Sequence, residues 1–222
     1  MKSKHYDVKR KRTISFFLDA AESIATKTGI DSLTIRNVAD KAGYNSATIY
    51  NYFDSFDQLI AFMVIRKTRD YLNKSIWYYE QDAIRTIDDY IELWKIFCDY
   101  SFSDPVIYAY AYSSSKAHMN NYQSNIKKYY EIFSDTAPIF KGEDSHNPYL
   151  ENEHDLVDQS LQKKNVEIGL YSEENASDIY QFGHYLYVGL LNDAIHDSER
   201  DPAKYTELFL HFFVPFLKSK AN

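Results

Sequence analysis

The chain has 222 residues, 25 Lys and Arg against 32 Asp and Glu for a formal charge of −7, and a single cysteine. Its 45% apolar content is enough to bury a substantial core and excludes a disordered chain. The lone Cys98 excludes a disulfide framework within one chain and fits a reducing compartment.

Glycine and proline are sparse, and apolar residues recur at helical spacing, so the fold class is all-α. Ile14, Phe17, Leu18, Ala21, Ile24 and Ala25 form one stripe, which Gly29 ends. Thr34 caps a short second helix carrying Ile35, Val38, Ala39 and Ala42 inward, stopped by Gly43. Asn45 caps a third, running to about Tyr52, with Ile49 and Phe53 toward the core. Ser55 caps a longer fourth helix with Leu59, Ile60, Met63 and Val64 on its inner face. Further helices are predicted over 86–102, 104–115, 116–136, 153–168, 173–196 and 202–218. Pro138 to Pro148 reads as a surface loop. The most apolar run, Phe209 to Leu217, is interrupted by His211 and Pro215 and falls short of the ~20 residues of a membrane span. The basic N-terminus leads into an amphipathic pattern with Asp19 and Glu22, not an apolar signal core. A cytoplasmic protein with no membrane partner is expected.

The charge is uneven. Residues 1–54 hold nine basic and six acidic residues, a net of +3, whereas 55–222 sum to −10. Six positive charges fall in residues 1–12, with Lys9 to Arg12 expected to precede helix one. They read either as a solubilising tail or as an arm reaching nucleic-acid phosphates or a minor groove. Residues 33–53, LTIRNVADKAGYNSATIYNYF, describe two short helices about a tight turn at Ala42-Gly43-Tyr44-Asn45. With the apolar positions packed on helix one, the second helix is free to enter a DNA major groove: a helix-turn-helix, spanning about 32–53. Its outward positions Ser46, Ala47, Thr48, Asn51 and Tyr52 are small or hydrogen-bonding, and suit base edges and phosphates.

The run Ile14, Ala20 or Ala21, Gly29, Thr34, Arg36, Val38, Ala39, Ala42-Gly43, Thr48-Ile49-Tyr50, Tyr52-Phe53 and Leu59 resembles the tetracycline-repressor (TetR) family of bacterial transcriptional regulators. The resemblance covers about residues 8–68. Asn37 departs from an acidic position common in the family, and Phe56 from a lysine that contacts phosphate or here has been recruited to packing. Tyr44-Asn45 stands where Val-Ser is common. The resemblance implies an N-terminal three-helix DNA-binding head (8–68) joined to a larger C-terminal helical domain for ligand binding and dimerisation (69–222). It implies phosphate contacts from Thr34, Arg36, Tyr50 and Tyr52, with Lys9 and Arg10 beside them, and base contacts from Ser46, Ala47 and Asn51, with Asn45 and Thr48 in the same interface. Phe53 reads as core, and Tyr50 equally as core or contact.

The second domain is dense in aromatics, and tyrosine can line an apolar pocket while orienting a ligand. Trp94, Tyr108, Tyr112, Tyr130, Phe133 and His184 are candidate effector-pocket residues, each also readable as ordinary core. Gly183, Tyr187, Leu190, Leu208 and Phe212 are candidates for a homodimer interface of the last two helices, with Gly183 and Gly189 allowing close backbone approach. Pro215 is expected to loosen the final turns. Asp193, His196 and Asp197, or Glu151, Glu153 and His154, could hold a metal, but neither set has a recognised spacing, so no metal or cofactor is expected. His118 reads as structural and Cys98 as a buried small hydrophobe.

The resulting expectation is a ligand-responsive DNA-binding regulator and not an enzyme. It would be a homodimeric repressor released from a pseudo-palindromic double-stranded operator by an unknown small molecule. The alternatives are a helical His/carboxylate metal-dependent enzyme or a helical protein-interaction adaptor.

Overall fold

The computed structural model describes residues 4–80, 83–113, 116–136 and 162–222. The described residues form an all-α fold. Its helices are α1 (Lys4–Thr28), α2 (Ile35–Ala42), α3 (Ser46–Ile49), α4 (Phe56–Glu80), α5 (Ile87–Ser103), α6 (Pro105–Tyr108), α7 (Lys116–Ile132), α8 (162–167), α9 (Glu173–His196) and α10 (Pro202–Lys220). They divide between two compact units: Met1–Lys67 with Tyr110–Ala137, and Thr68–Ala109 with Pro138–Asn222.

In the first unit, Ile14, Phe17, Leu18 and Ala21 of α1 are buried with Val38, Ala39, Ile49, Phe53 and Leu59. Each such large aliphatic or aromatic side chain contributes about 1.5–3 kcal/mol on burial. The Phe17 ring sits 5.0 Å from Tyr44 and 6.0 Å from Phe53, whose edge meets Phe62 at 5.8 Å. Phe62 in turn meets Tyr129 of α7 edge-on at 5.5 Å. Arg66 of α4 binds back to α1, 2.7 Å from Glu22 and 2.9 Å from Asp19. Residues 61–65 are all buried, a wider buried face than four amphipathic positions suggest.

Three local expectations need correcting. Lys9 to Arg12 do not precede helix one; they lie within it, because Lys and Arg are good helix formers and nothing before them breaks the helix. The third helix is α-helical only to Ile49; beyond it Asn51 N–H bonds Thr48 O and Tyr52 N–H bonds Ile49 O, the tighter i to i+3 pattern. The segment after α6 is a π-helical turn, Ala109–Ser113, in place of a continuous helix over 104–115, and α7 stops at Ile132 before a 3₁₀ turn at Ser134–Thr136. The expected loop Pro138 to Pro148, the part of the expected helix over 153–161, and the Glu151, Glu153 and His154 set lie outside the described residues, as does the side chain of His118.

The second unit is built on α5, α9 and α10. Thr86 and Asp89 form a reciprocal capping box at the start of α5. Ser172 caps α9, and Asp201 caps α10 with Pro202 in its first turn, where a missing N–H has no cost. Trp94 of α5 stacks on Phe209 at 5.2 Å and lies 5.0 Å from Phe213, both of α10. Phe97 meets Tyr187 of α9 at 4.7 Å. Helix α10 runs through Pro215 to Lys220, and its end is held by Lys218 on Asp88 (3.0 Å), Lys220 on Asp178 (2.8 Å) and an antiparallel bridge between Ala221 and Tyr171.

Candidate nucleic-acid interface

The turn between α2 and α3 is set by hydrogen bonds that its residue types require. Thr34 Oγ1 accepts from Asn37 N–H at 3.1 Å, and Asn37 Oδ1 accepts from Thr34 N–H at 2.9 Å, closing a capping box. Asn37 Nδ2 adds a bond to Ser32 O at 2.9 Å, which a carboxylate in that position could not donate. At the other end, Gly43 adopts φ +80°; its N–H bonds Asp40 O and Tyr44 N–H bonds Ala39 O, a Schellman closure. A non-glycine residue at this φ would cost about 1–2 kcal/mol. Asn45 Oδ1 then accepts from Thr48 N–H (3.0 Å) and Thr48 Oγ1 (2.9 Å), a cap worth about 1 kcal/mol.

This framework leaves one face of the α3 segment open. Ala47, Tyr50 and Asn51 are exposed, with Tyr50 at 56%, while Ile49 and Phe53 are buried beneath them. Ser46, Thr48 and Tyr52 are half-buried; Tyr52 leans on Phe17 at 6.0 Å. Thr34 and Asn45 are exposed and engaged as caps, and Arg36 extends into solvent 3.9 Å from Asp40. Of the basic residues on α1, Lys9 is exposed, Arg10 Nη2 donates to Tyr52 O at 3.4 Å, and Lys11 pairs with Asp135 at 2.6 Å. Phe56 is half-buried.

Four residues that the sequence did not single out complete this unit. Gln58 Oε1 accepts from Asp54 N–H at 2.8 Å, and Gln58 Nε2 donates to Asp54 Oδ2 (3.1 Å) and Asn125 Oδ1 (3.0 Å). Lys128 Nζ donates to the same Asp54 oxygen at 3.0 Å. The Lys128 and Gln58 hydrogen bonds hold the Asp54 carboxyl below its ordinary range. These partners are separated by 67 and 74 positions in the chain, so no local pattern could have revealed them.

The six expected pocket residues divide between the units: Tyr112, Tyr130 and Phe133 belong to the first, Trp94, Tyr108 and His184 to the second. Trp94 and Tyr108 are packed among rings of their own unit, Tyr108 lying 6.2 Å from both Tyr71 and Phe97. His184 is half-buried and stacks on Tyr180 at 5.9 Å. On the last two helices, Tyr180, Phe182, Tyr185, Leu208 and Phe212 are exposed apolar or aromatic side chains, and Phe182 stacks on Phe216 at 4.2 Å. Leu190 is half-buried. Gly183 and Tyr187 need correcting: both are buried in their own unit, across α9 from Phe182 and Tyr185. A Cβ at Gly183 would stand 2.9 Å from Phe213 Cε2, so the close approach this glycine permits is internal.

Among the described residues no group of three or more His, Cys, Asp or Glu side chains could hold a metal. Asp193 and Asp197 both accept from Tyr205 Oη, at 2.8 and 3.3 Å, and His196 Nδ1 lies 2.7 Å from Asn192 O. The Asp193 hydrogen bond, burial and the two carboxylate charges push the Tyr205 phenol up to about 12. Burial likewise raises the Cys98 thiol, which makes it a poor nucleophile. Among the described residues no helix is long and apolar enough to cross a membrane.

A capped helix-turn-helix with its second helix open to solvent, carried by a larger helical body, defines a DNA-binding regulator. A family model described as bacterial regulatory proteins, tetR family, matches residues 17–62. Over those residues the chain is similar to the tetR family of bacterial regulatory proteins. Among solved structures, a chain from Shewanella sp. PV-4 assigned to the tetR transcription regulators aligns at TM-score 0.54 and 15% identity, over 95% of this chain and 98% of that one. SmeT, the repressor of the Stenotrophomonas maltophilia multidrug efflux pump SmeDEF, aligns at 0.52 and 14% identity, over 94% and 90% of the two chains. At these identities the likeness is one of fold. No curated protein matches the chain.

Proposed function

We propose that this regulator acts as a homodimer on a pseudo-palindromic operator, reading bases with Ala47 and Asn51 and phosphates with Thr34, Arg36, Tyr50 and the exposed Lys9. The observation that carries this reading is the exposed α3 face, held by the Thr34 and Asn45 caps and the Gly43 turn. Asn51 offers the bidentate donor and acceptor pair that matches adenine, and the Ala47 methyl suits thymine. Ser46, Thr48 and Tyr52 have less open surface and serve from the edges of the same face.

Homodimerisation is supported by exposed Phe182 and Tyr185 on α9 with Leu208 and Phe212 on α10. Exposed large apolar side chains on adjacent helices mark an interaction surface, and two-fold symmetry is the commonest way to cover it. Two heads related by that axis would meet half-sites about one helical turn, roughly 34–36 Å, apart. We further propose release by a small molecule bound in the second unit, where the candidate pocket residues Trp94, Tyr108 and His184 bring ring faces and polar groups. Repression, as in SmeT, is the direction of regulation we propose.

The test is selection of duplexes from a random library by the full chain, followed by anisotropy titration at several salt concentrations. Specific binding whose logarithm falls linearly with log salt supports the reading. No duplex enriched at low salt would sink it. Asn51→Ala is expected to relax preference at one base pair at a cost of about 1–3 kcal/mol, whereas Lys9→Ala weakens all sequences alike.

A further inference from the structure

Helix α7 lies more than sixty residues beyond the recognition segment in sequence, yet it belongs to the same compact unit. Its connection is polar and directional. Asn121 Nδ2 donates to Tyr110 Oη at 2.8 Å and to Asp57 O at 3.0 Å. Asn125 Nδ2 donates to Asn121 O at 2.8 Å and Asn121 Oδ1 at 2.9 Å, leaving Asn125 Oδ1 to accept from Gln58. Gln58 ends on Asp54, two residues past Tyr52, and Lys128 meets the same carboxylate. From the opposite side, Arg10 of α1 donates to Tyr52 O. Gln58 and Asn125 are both buried, and their bond is the buried member of this set.

We propose that Gln58, Asn125 and Lys128 are positioning residues for operator binding: they hold Asp54, and with it the trailing end of the recognition segment, at one angle on the DNA-binding unit. This rests on the DNA-binding reading above. The physical reason is that α3 is a single helical turn and cannot set its own orientation. Its leading end is fixed by the Asn45 cap and the Gly43 turn; its trailing end has two i to i+3 bonds and one i to i+4 bond, from Phe53 N–H to Ile49 O, none of which reaches beyond the segment itself. An apolar contact such as Phe62 on Tyr129 tolerates sliding; a hydrogen-bonded amide pair specifies one register. A tilt at this end would move Tyr50 and Asn51 relative to the groove while leaving the buried face of Ile49 and Phe53 in place.

The test separates position from stability. In the double variant Gln58→Met/Asn125→Leu both partners become apolar with nearly unchanged side-chain heavy-atom count, which is near neutral for folding; the freed Asp54 N–H belongs to an exposed residue and the freed Asn121 oxygens to a half-buried one, so water can meet them. With the duplex selected by the wild-type chain as probe, operator affinity is expected to fall about tenfold. Melting temperature and low-salt affinity for a random-sequence duplex should stay unchanged. Lys128→Met, at a half-exposed side chain that folding does not need, should lose about threefold by the same readout. Wild-type operator affinity in both variants overturns the proposal. Should the double variant not fold, wild-type affinity in Lys128→Met alone overturns it. A wild-type chain that enriches no duplex defeats the DNA-binding reading itself, a result distinct from either.

Discussion

Gly183→Ala adds one methyl group at the crossing of α9 with α5 and α10, where two effects of opposite sign compete. Alanine is better than glycine inside a helix by about 0.8–1.0 kcal/mol. Against this, the new Cβ would stand 2.9 Å from Phe213 Cε2 and 3.3 and 3.4 Å from Trp94 Cζ2 and Cη2. The Phe213 ring must retreat by several tenths of an ångström, and it is wholly buried, 5.0 Å from the rings of both Phe209 and Trp94. Over-packing of this kind costs about 1–3 kcal/mol, so strain wins by about 1 kcal/mol. For a chain of this size that lowers Tm by about 2–4 °C. Gly189→Ala adds the same methyl in the same helix with nothing within 4 Å, and should raise Tm instead. Both are melted by circular dichroism in a Phe212→Asp background, so that self-association does not enter. Equal upward shifts in the two variants would refute the reasoning.

Phe212→Asp itself places a charge among the exposed apolar side chains of α9 and α10 and should weaken dimerisation about 30-fold or more, read by light scattering across a dilution series. Gly43→Ala meets no neighbour, so its cost is conformational alone: about 1–2 kcal/mol from φ +80°, measured by chemical denaturation. Asn45→Ala, by losing the cap on α3, should cost about 1 kcal/mol in the same assay and weaken operator binding with it. Tyr205 titrates near 12 in the fold against 10 when unfolded, so its contribution is complete below pH 10 and is lost as pH rises from about 10 toward 12. Tyr205→Phe should remove that part of the alkaline decline in stability, and an unchanged alkaline limb would contradict the assignment.

The head was legible because its signals are local. A cap and the residue it bonds are three positions apart, a Schellman closure spans six residues, and the apolar stripes of α1 and α2 follow the helical period. Thr34, Gly43 and Asn45 therefore do in the structure what their residue types imply. The same locality explains the error at Lys9 to Arg12. Positive charge suggested a free arm, while helix propensity carried α1 back to Lys4 and gave Arg10 and Lys11 internal partners.

By itself, then, the sequence determined an all-α chain with a helix-turn-helix near its start, since helical periodicity, caps and turn residues are read within a few positions. Tertiary structure alone decided which faces look outward. Gly183 and Tyr187 share a helix with Phe182 and Tyr185, and all four suit an interface by composition, yet only the second pair is exposed. Packing of α9 on Trp94 and Phe213 makes that choice, and no residue of α9 encodes it alone. The assignment of α7 to the reading head is the same kind of fact. Hydrogen bonds from Gln58 to Asn125 and from Lys128 to Asp54 cross 67 and 74 residues, and contacts that distant arise only once the core has brought the helices together.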